Sequence, residues 1–146
     1  MAVRVQVAID CANPNRLAQF WATALGYLPK GPPPGFATWA EALTAWGIPE
    51  DGWDDGAHLV DPDGVGPSLF FQRVPEPKTV KNRFHLDLLV GGGRGLPLAE
   101  RRRRVDAEVE RLVAAGATVT ARVAEAGVDH YFVAMRDPEG NEFDVV

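Results

Sequence analysis

The chain has few of the features that mark secreted, nucleic-acid-binding or membrane proteins. Its 146 residues include one cysteine, Cys11, so no disulfide can form within the chain, and we expect a cytoplasmic protein. Basic side chains are outnumbered by acidic ones, 15 to 20, and the net charge of −5 argues against a nucleic-acid partner. No apolar run reaches the length of a membrane span, and the first residues lack the apolar core of a signal peptide, so we expect no membrane partner. The 46% of hydrophobic residues are enough to form a compact core.

A repeated turn is the most informative feature that is present. The sequence Asp-Pro-Asp-Gly begins at Asp61, and the similar Asp-Pro-Glu-Gly begins at Asp137. Each turn leads into an apolar run, and the two lie about half the chain length apart, which indicates two copies of one module.

The first module opens with a strand and a helix. Apolar and polar residues alternate over residues 3–9, which predicts a strand whose odd-numbered residues pack on a helix. Asn13 and Pro14 are a favourable N-cap and first residue for that helix, and Gly26 is placed to end it. Residues 57–60 and 68–74 are predicted strands. Trp39, Leu43 and Trp46 have the spacing of an additional short helix.

The second module repeats this order. Alternation over residues 85–90 predicts a strand, and residues 97–116 have the apolar stripe of a helix. Three further strands are predicted at residues 118–123, 131–136 and 141–146. The order is therefore β-α-β-β-β twice, which predicts an α+β protein with modules at about residues 1–76 and 82–146, joined by a linker at residues 75–78.

Strand alternation also predicts which polar side chains face away from the helices. Four of them come from positions that the repeat makes equivalent, and they are Gln6, Gln72, His85 and Asp144. Asp87 and Glu142 are predicted to share this face.

Residues 13–27 and 137–143 resemble the opening helix and the closing turn and strand of the vicinal oxygen chelate superfamily. That superfamily includes glyoxalase I, bleomycin-resistance proteins and extradiol dioxygenases, and residues 71–76 and 81–87 are similar to its glyoxalase-like branch. The resemblance implies one domain over residues 1–146, in which both modules form a curved sheet with an open groove. It implies metal ligands at Gln6, Gln72, His85 and Asp144, with Zn, Ni, Mn or Fe as the ion. Asp144 stands where glutamate is usual, and Gln72 stands where a carboxylate is usual.

Two functions stay open at this point. The first is a metal-dependent lyase, isomerase or dioxygenase that acts on a small oxygenated substrate, with Glu142 as the catalytic proton carrier. The second is a metal-free protein that sequesters a small molecule such as an antibiotic, as bleomycin-resistance proteins do, with Trp39, Trp46 and Asp87 binding the ligand. A homodimer is expected in either case, with modules paired within one chain or exchanged between chains.

Several of these residues also have structural interpretations. His85 is equally well explained as a hydrogen-bonding partner of Asp87 or Asp144. Trp39 and Trp46 are also typical of core or lid packing. The arginines at residues 101–104 are predicted to form a solvated, ion-paired helix face, and His58 and His130 are assigned to the surface or to a pocket wall.

Overall fold

The computed structural model describes residues 1–146, which divide into two compact units, Met1–Pro77 and Lys78–Val146. Each unit has its own four-stranded sheet and is described by itself below. No helix in either unit has both the length and the apolar character needed to cross a membrane.

Unit one contains four strands, two α-helices and a 3₁₀ helix. In chain order these are β1 (Gln6–Cys11), α1 (Pro14–Leu25), β2 (Leu28–Pro29), α2 (Trp39–Ala45), the 3₁₀ helix (Glu50–Asp55), β3 (Gly56–Val60) and β4 (Ser68–Arg73). The sheet order is β1-β4-β3-β2, with β1 parallel to β4 and the other pairs antiparallel. The predicted β-α-β-β-β order is therefore present, with α2 and the 3₁₀ helix inserted before β3.

Local signals determine both ends of α1. The Asn13 side chain accepts a hydrogen bond from the Arg16 amide at 3.1 Å, and Pro14 occupies the first helical turn. Gly26 ends the helix with a φ of 70°, a conformation that glycine adopts without steric cost. The apolar face of the helix, which includes Leu17 and Trp21, is buried against β3 and β4.

The first strand begins later than the alternation predicts. Val3 and Val5 have exposed fractions of 86% and 70%, and β1 begins only at Gln6. The reason is the partner strand, because β4 begins at Ser68, which lies opposite Gln6. Residues 3–5 therefore have no neighbour in the sheet.

Unit two follows the same order without an insertion. It contains β5 (Asp87–Leu88), α3 (Leu98–Ala115), β6 (Thr118–Ala124), β7 (Tyr131–Arg136) and β8 (Glu142–Val145). The sheet order is β5-β8-β7-β6, with β5 parallel to β8. The predicted first strand is reduced to two residues, which pair with Asp144 and Val145 of β8. The amides of Val90 and Gly91 both donate to the carbonyl of Val146.

The core of unit two lies between α3 and the sheet. Val105, Val109 and Leu112 form the buried stripe of the helix, and Met135 and Phe143 lie in the sheet with exposed fractions of 0% and 1%. The predicted α+β class is confirmed, with two four-stranded sheets and four helices. The single domain and the groove between the modules stay predictions.

Candidate functional site

Unit two contains a pocket of about 610 Å³ between the loop before β5 and the face of its sheet. Its apolar lining includes Val80, Val123, Phe132 and Met135. Seven ionisable residues also line it, namely Lys78, Lys81, His85, Arg136, Glu139, Glu142 and Asp144. An apolar pocket with a few convergent polar groups is the usual form of a small-molecule site.

His85, Asp87 and Asp144 form a compact cluster at this site. Parallel pairing of β5 with β8 places Asp87 opposite Asp144. His85 Nδ1 lies 3.0 Å from Asp87 Oδ1 and 3.8 Å from Asp144 Oδ2. One potential ligand atom from each of the three residues lies within 4.8 Å of the others. Since a carboxylate accepts hydrogen bonds, the contact with Asp87 favours the tautomer of the neutral ring that has its proton on Nδ1 and a lone pair on Nε2.

Asp144 is the least favourably ionised carboxyl of this cluster. Burial raises its pKa, the charges of His85 and Lys81 act in the opposite direction, and Asp87 raises it further. The net direction is upward from the ordinary aspartate value. A bound cation would offset the cost of the two neighbouring negative charges.

Glu142, the predicted proton carrier, is engaged by two donors. Its carboxylate accepts a hydrogen bond from the Asn82 amide at 3.0 Å and lies 3.1 Å from Lys78 Nζ. Burial acts to raise the pKa of Glu142, but the backbone amides and the Lys78 ammonium outweigh it and lower the pKa to about 2. Near neutral pH this group is therefore a carboxylate in contact with Asn82 and Lys78, and its role as a proton carrier stays a prediction.

Gln6 and Gln72, the two predicted ligands in unit one, are far apart on their strands. Gln6 Oε1 lies 3.2 Å from His58 Nε2 and 3.3 Å from Ser68 Oγ. Gln72 donates to Asp10 Oδ1 at 2.7 Å. Gln6 pairs with Ser68 in the parallel ladder and Gln72 pairs with Asp10. Their backbones are therefore separated by four residues, about 13 Å along the strands.

According to the strand registers, the residue of unit one that corresponds to Asp144 is Phe70 and not Gln72. In unit two, the residue three before Asp137 is Ala134, which pairs with Asp144. In unit one, the residue three before Asp61 is His58, which pairs with Phe70. The predicted equivalence of Gln72 with Asp144 is thus wrong by two residues. A phenylalanine, which cannot bind a metal ion, occupies the corresponding position in unit one.

His58, which the sequence assigns to the surface or to a pocket wall, contacts Gln6 and lies against Phe70 with ring centroids 4.5 Å apart. Burial and the nearby Lys30 ammonium lower its pKa. This histidine is therefore neutral near pH 7. The only sequence signal for it was its position three residues before the Asp61 turn.

The predicted ligand-binding tryptophans form an aromatic group in unit one. Trp39 and Trp46 meet edge to face at 6.4 Å between ring centroids, and Phe36 contacts Trp46 at 6.0 Å. Trp39 Nε1 donates to the Lys30 carbonyl, whereas Trp46 is 54% exposed. Ala42 is the one buried residue of α2, so the two tryptophans do not form the main packing face of this helix.

The prediction that the arginines of α3 form a solvated face is wrong for Arg101. Arg101 has an exposed fraction of 8% and pairs with Asp129, and its Nε donates to the Leu96 carbonyl at 3.1 Å. Arg103 and Arg104 pair with Glu100 as predicted.

The family model described as "Glyoxalase-like domain" matches residues 6–146 of the chain. The chain belongs to the glyoxalase-like domain family. This family assignment confirms the predicted resemblance to the vicinal oxygen chelate superfamily. No curated protein matches the chain in sequence.

Solved structures share the fold of this glyoxalase-like protein at low sequence identity. A glyoxalase/bleomycin resistance protein/dioxygenase family enzyme from Burkholderia phytofirmans PsJN is 18% identical, with a TM-score of 0.60 over 96% of this chain and 94% of that one. The fosfomycin resistance protein FosX from Listeria monocytogenes, a variant bound to Mn(II) and 1S,2S-dihydroxypropylphosphonic acid, is 10% identical. Its TM-score is 0.62 over 99% and 91% of the two chains. TioX from Micromonospora sp. ML1 is 18% identical, with a TM-score of 0.53 over 99% and 97%. At these identities the likeness shows the fold alone.

Proposed function

We propose that this glyoxalase-like protein binds a small oxygenated molecule in the pocket of unit two, where His85 and Asp144 hold a divalent transition metal. The observation that carries the proposal is the cluster of His85, Asp87 and Asp144 at the wall of this pocket. One imidazole and one or two carboxylates are donors that Zn, Ni, Mn and Fe accept. The Mn(II) bound by the FosX variant supports the choice of a divalent ion.

The donors of the cluster are suited to such an ion. Asp87 accepts from His85 Nδ1, which orients the ring and leaves Nε2 available, as is usual for metal-binding histidines with a carboxylate partner. Asp144 is partly buried and its ionised form is costly, so it gains from a neighbouring cation. Gln6 occupies in β1 of unit one the place that His85 occupies in unit two, and its role as a ligand stays a prediction.

A bound divalent ion would supply Lewis acidity toward vicinal oxygens of the ligand and stabilise negative charge as it develops. The chain itself supplies the ammonium of Lys81 and the guanidinium of Arg136, both of which line the pocket and attract anionic ligand oxygens. Val80, Val123 and Phe132 would contact the apolar part of the ligand. We propose lyase, isomerase or dioxygenase chemistry for this site. We also propose that the protein is located in the cytoplasm.

A thermal melt with added metal tests the ion site. At a metal concentration about a hundredfold above Kd, binding adds about 2.7 kcal/mol of stability, which raises Tm by roughly 5–10 °C for a chain of this size. We expect this rise with at least one of Zn²⁺, Ni²⁺, Mn²⁺ or Fe²⁺. The rise should be absent in His85→Ala and present in His130→Ala, which removes a histidine that does not line the pocket. A rise that persists in His85→Ala would place the metal elsewhere.

The second candidate function is metal-free sequestration of a small molecule. Phe70 favours it, because this side chain occupies the position that corresponds to Asp144 and removes one potential ligand. The exposed ring of Trp46, which contacts Trp39 and Phe36, provides an aromatic surface for such a ligand. For this function, ligands that raise Tm without metal should quench tryptophan fluorescence in the wild type and less in Trp46→Leu. Equal quenching in both proteins would refute the Trp39 and Trp46 surface.

We also propose that the protein is a homodimer. Large apolar side chains are exposed near both outer strands β1 and β5, and they include Val5, Phe84 (92% exposed) and Leu89 (80% exposed). Patches of this kind are common at protein interfaces. Sedimentation equilibrium should give twice the chain mass, and Phe84→Asp should shift the equilibrium toward the monomer. A wild-type monomer at all concentrations would contradict this proposal.

A further inference from the structure

Residues 78–82 of unit two form one wall of the pocket, although they belong to no helix or strand. We call this segment the strap. Four of its five residues line the pocket, namely Lys78, Thr79, Val80 and Lys81. The opposite walls are β7 and β8, which belong to a regular sheet with a buried core. The strap is therefore a continuous part of the pocket wall that lies outside the helices and strands.

Polar contacts with the start of β8 hold the strap in place. Glu142 accepts from the Asn82 amide at 3.0 Å and pairs with Lys78 at the other end of the strap at 3.1 Å. Asn82 Nδ2 donates to Asn141 Oδ1 at 3.1 Å. Lys78 Nζ also donates to the Val80 carbonyl within the strap.

Apolar burial contributes little to this attachment. Val80, the one large apolar residue of the strap, is 75% exposed. A segment with few buried apolar contacts opens at a lower free energy than the sheet it lies on. Because one carboxylate contacts both ends, the loss of Glu142 releases the whole strap and not a single residue.

We propose that the strap is a movable wall of the pocket and that Glu142 is the positioning residue that keeps it closed. This rests on the proposed function only in treating the pocket as the ligand site. In the closed state the Lys81 side chain lines the same pocket as Asp144. Opening moves this side chain away and widens the entrance to the pocket. Glu142 thus controls ligand entry.

Limited trypsin digestion tests the proposal without any ligand or metal. The peptide bond after Lys81 ends in the Asn82 amide that donates to Glu142, so cleavage there requires the strap to open. When opening is fast, the cleavage rate follows the population of the open form. Losing a hydrogen bond to a charged group shifts such an equilibrium by about tenfold or more. Cleavage after Lys30, in an exposed loop of unit one, is the internal reference.

We expect Glu142→Ala to raise cleavage after Lys81, relative to Lys30, by about tenfold. Glu142→Gln keeps an acceptor oxygen but loses the ion pair, so its increase should be smaller. Glu125→Gln, which removes an exposed carboxylate in the β6–β7 turn, should leave the ratio unchanged. An unchanged ratio in Glu142→Ala would overturn the proposal.

If Glu142→Ala unfolds and all sites are cleaved together, Asn82→Ala decides the matter. This variant keeps the backbone bond to Glu142 and removes only the contact with Asn141. A severalfold rise of the Lys81 ratio supports the strap, and no rise refutes it. A protein that binds no metal but shows this pattern would refute the proposed ion site and leave the strap intact.

Discussion

The buried turn of unit two leads to a quantitative prediction about Asp137. This residue has an exposed fraction of 4%, and both oxygens of its carboxylate accept hydrogen bonds. Its Oδ1 accepts from the amides of Glu139 and Asn141 at 2.9 and 3.0 Å, and its Oδ2 accepts from Asn141 Nδ2 at 3.0 Å. Hydrogen bonds to a charged group contribute about 1.5–3 kcal/mol each and are not additive. We therefore expect Asp137→Ala to lower the free energy of unfolding by about 3–4 kcal/mol.

Asp61 provides the matched control in unit one. Its carboxylate accepts from the amides of Asp63, Val65 and Gly66, so it holds its turn in the same way. Asp61 is more exposed than Asp137, however, and water can replace the lost acceptor at its donors. Asp61→Ala should therefore lower the free energy of unfolding by less than Asp137→Ala does.

Urea unfolding followed by far-UV circular dichroism measures both values. The midpoint should fall in both variants while the m-value stays constant. A cost below about 1 kcal/mol for Asp137→Ala, or a larger cost for Asp61→Ala, would refute the reasoning that burial determines the strength of these turns.

Three further predictions concern single side chains. Asp144→Asn should raise Tm at pH 7, because a carboxyl whose pKa is raised in the folded state contributes stability below its unfolded pKa and loses it as the pH rises. Thermal melts at pH 7 and pH 3 should show that the gain in Tm is smaller in acid. An equal gain at both pH values would contradict the raised pKa. Arg101→Ala should lower the free energy of unfolding by about 2 kcal/mol because Arg101 is buried with two acceptors, whereas Arg103→Ala, at an exposed ion pair, should have a much smaller effect. Chemical denaturation of both variants measures the difference, and equal effects would refute this prediction. Trp21→Ala should lower the free energy of unfolding by about 3–5 kcal/mol and Trp46→Ala by less than about 1 kcal/mol, because Trp21 is 2% exposed and Trp46 is 54% exposed. The same denaturation assay measures both variants, and similar values would contradict the assigned burial.

Elements that depend on local signals were predictable from the sequence. The ends of α1 follow from Asn13, Pro14 and Gly26, each of which acts on residues within one helical turn. The end of α3 follows in the same way from Gly116, which adopts a φ of 117°. The repeated order of strands and helices was predictable because both units use the same turn before their last strand.

Features that depend on pairing between distant residues were not predictable. Alternation assigns a face to each strand residue, but residues two apart share that face, so it does not distinguish Phe70 from Gln72. Only the pairing of β3 with β4 resolves this choice. The burial of Arg101 likewise depends on Asp129, which is distant in sequence and comes from the turn before β7.

The metal content of the protein tests the central claim most directly. The protein would be purified without a histidine tag, and its bound metals would be quantified by inductively coupled plasma mass spectrometry. We predict close to one transition-metal ion per chain in the wild type and in His130→Ala, and loss of that ion in His85→Ala and Asp144→Asn. A wild type that holds no ion after incubation with Zn²⁺, Ni²⁺, Mn²⁺ or Fe²⁺, or variants that keep it, would contradict the assignment of the site to His85 and Asp144.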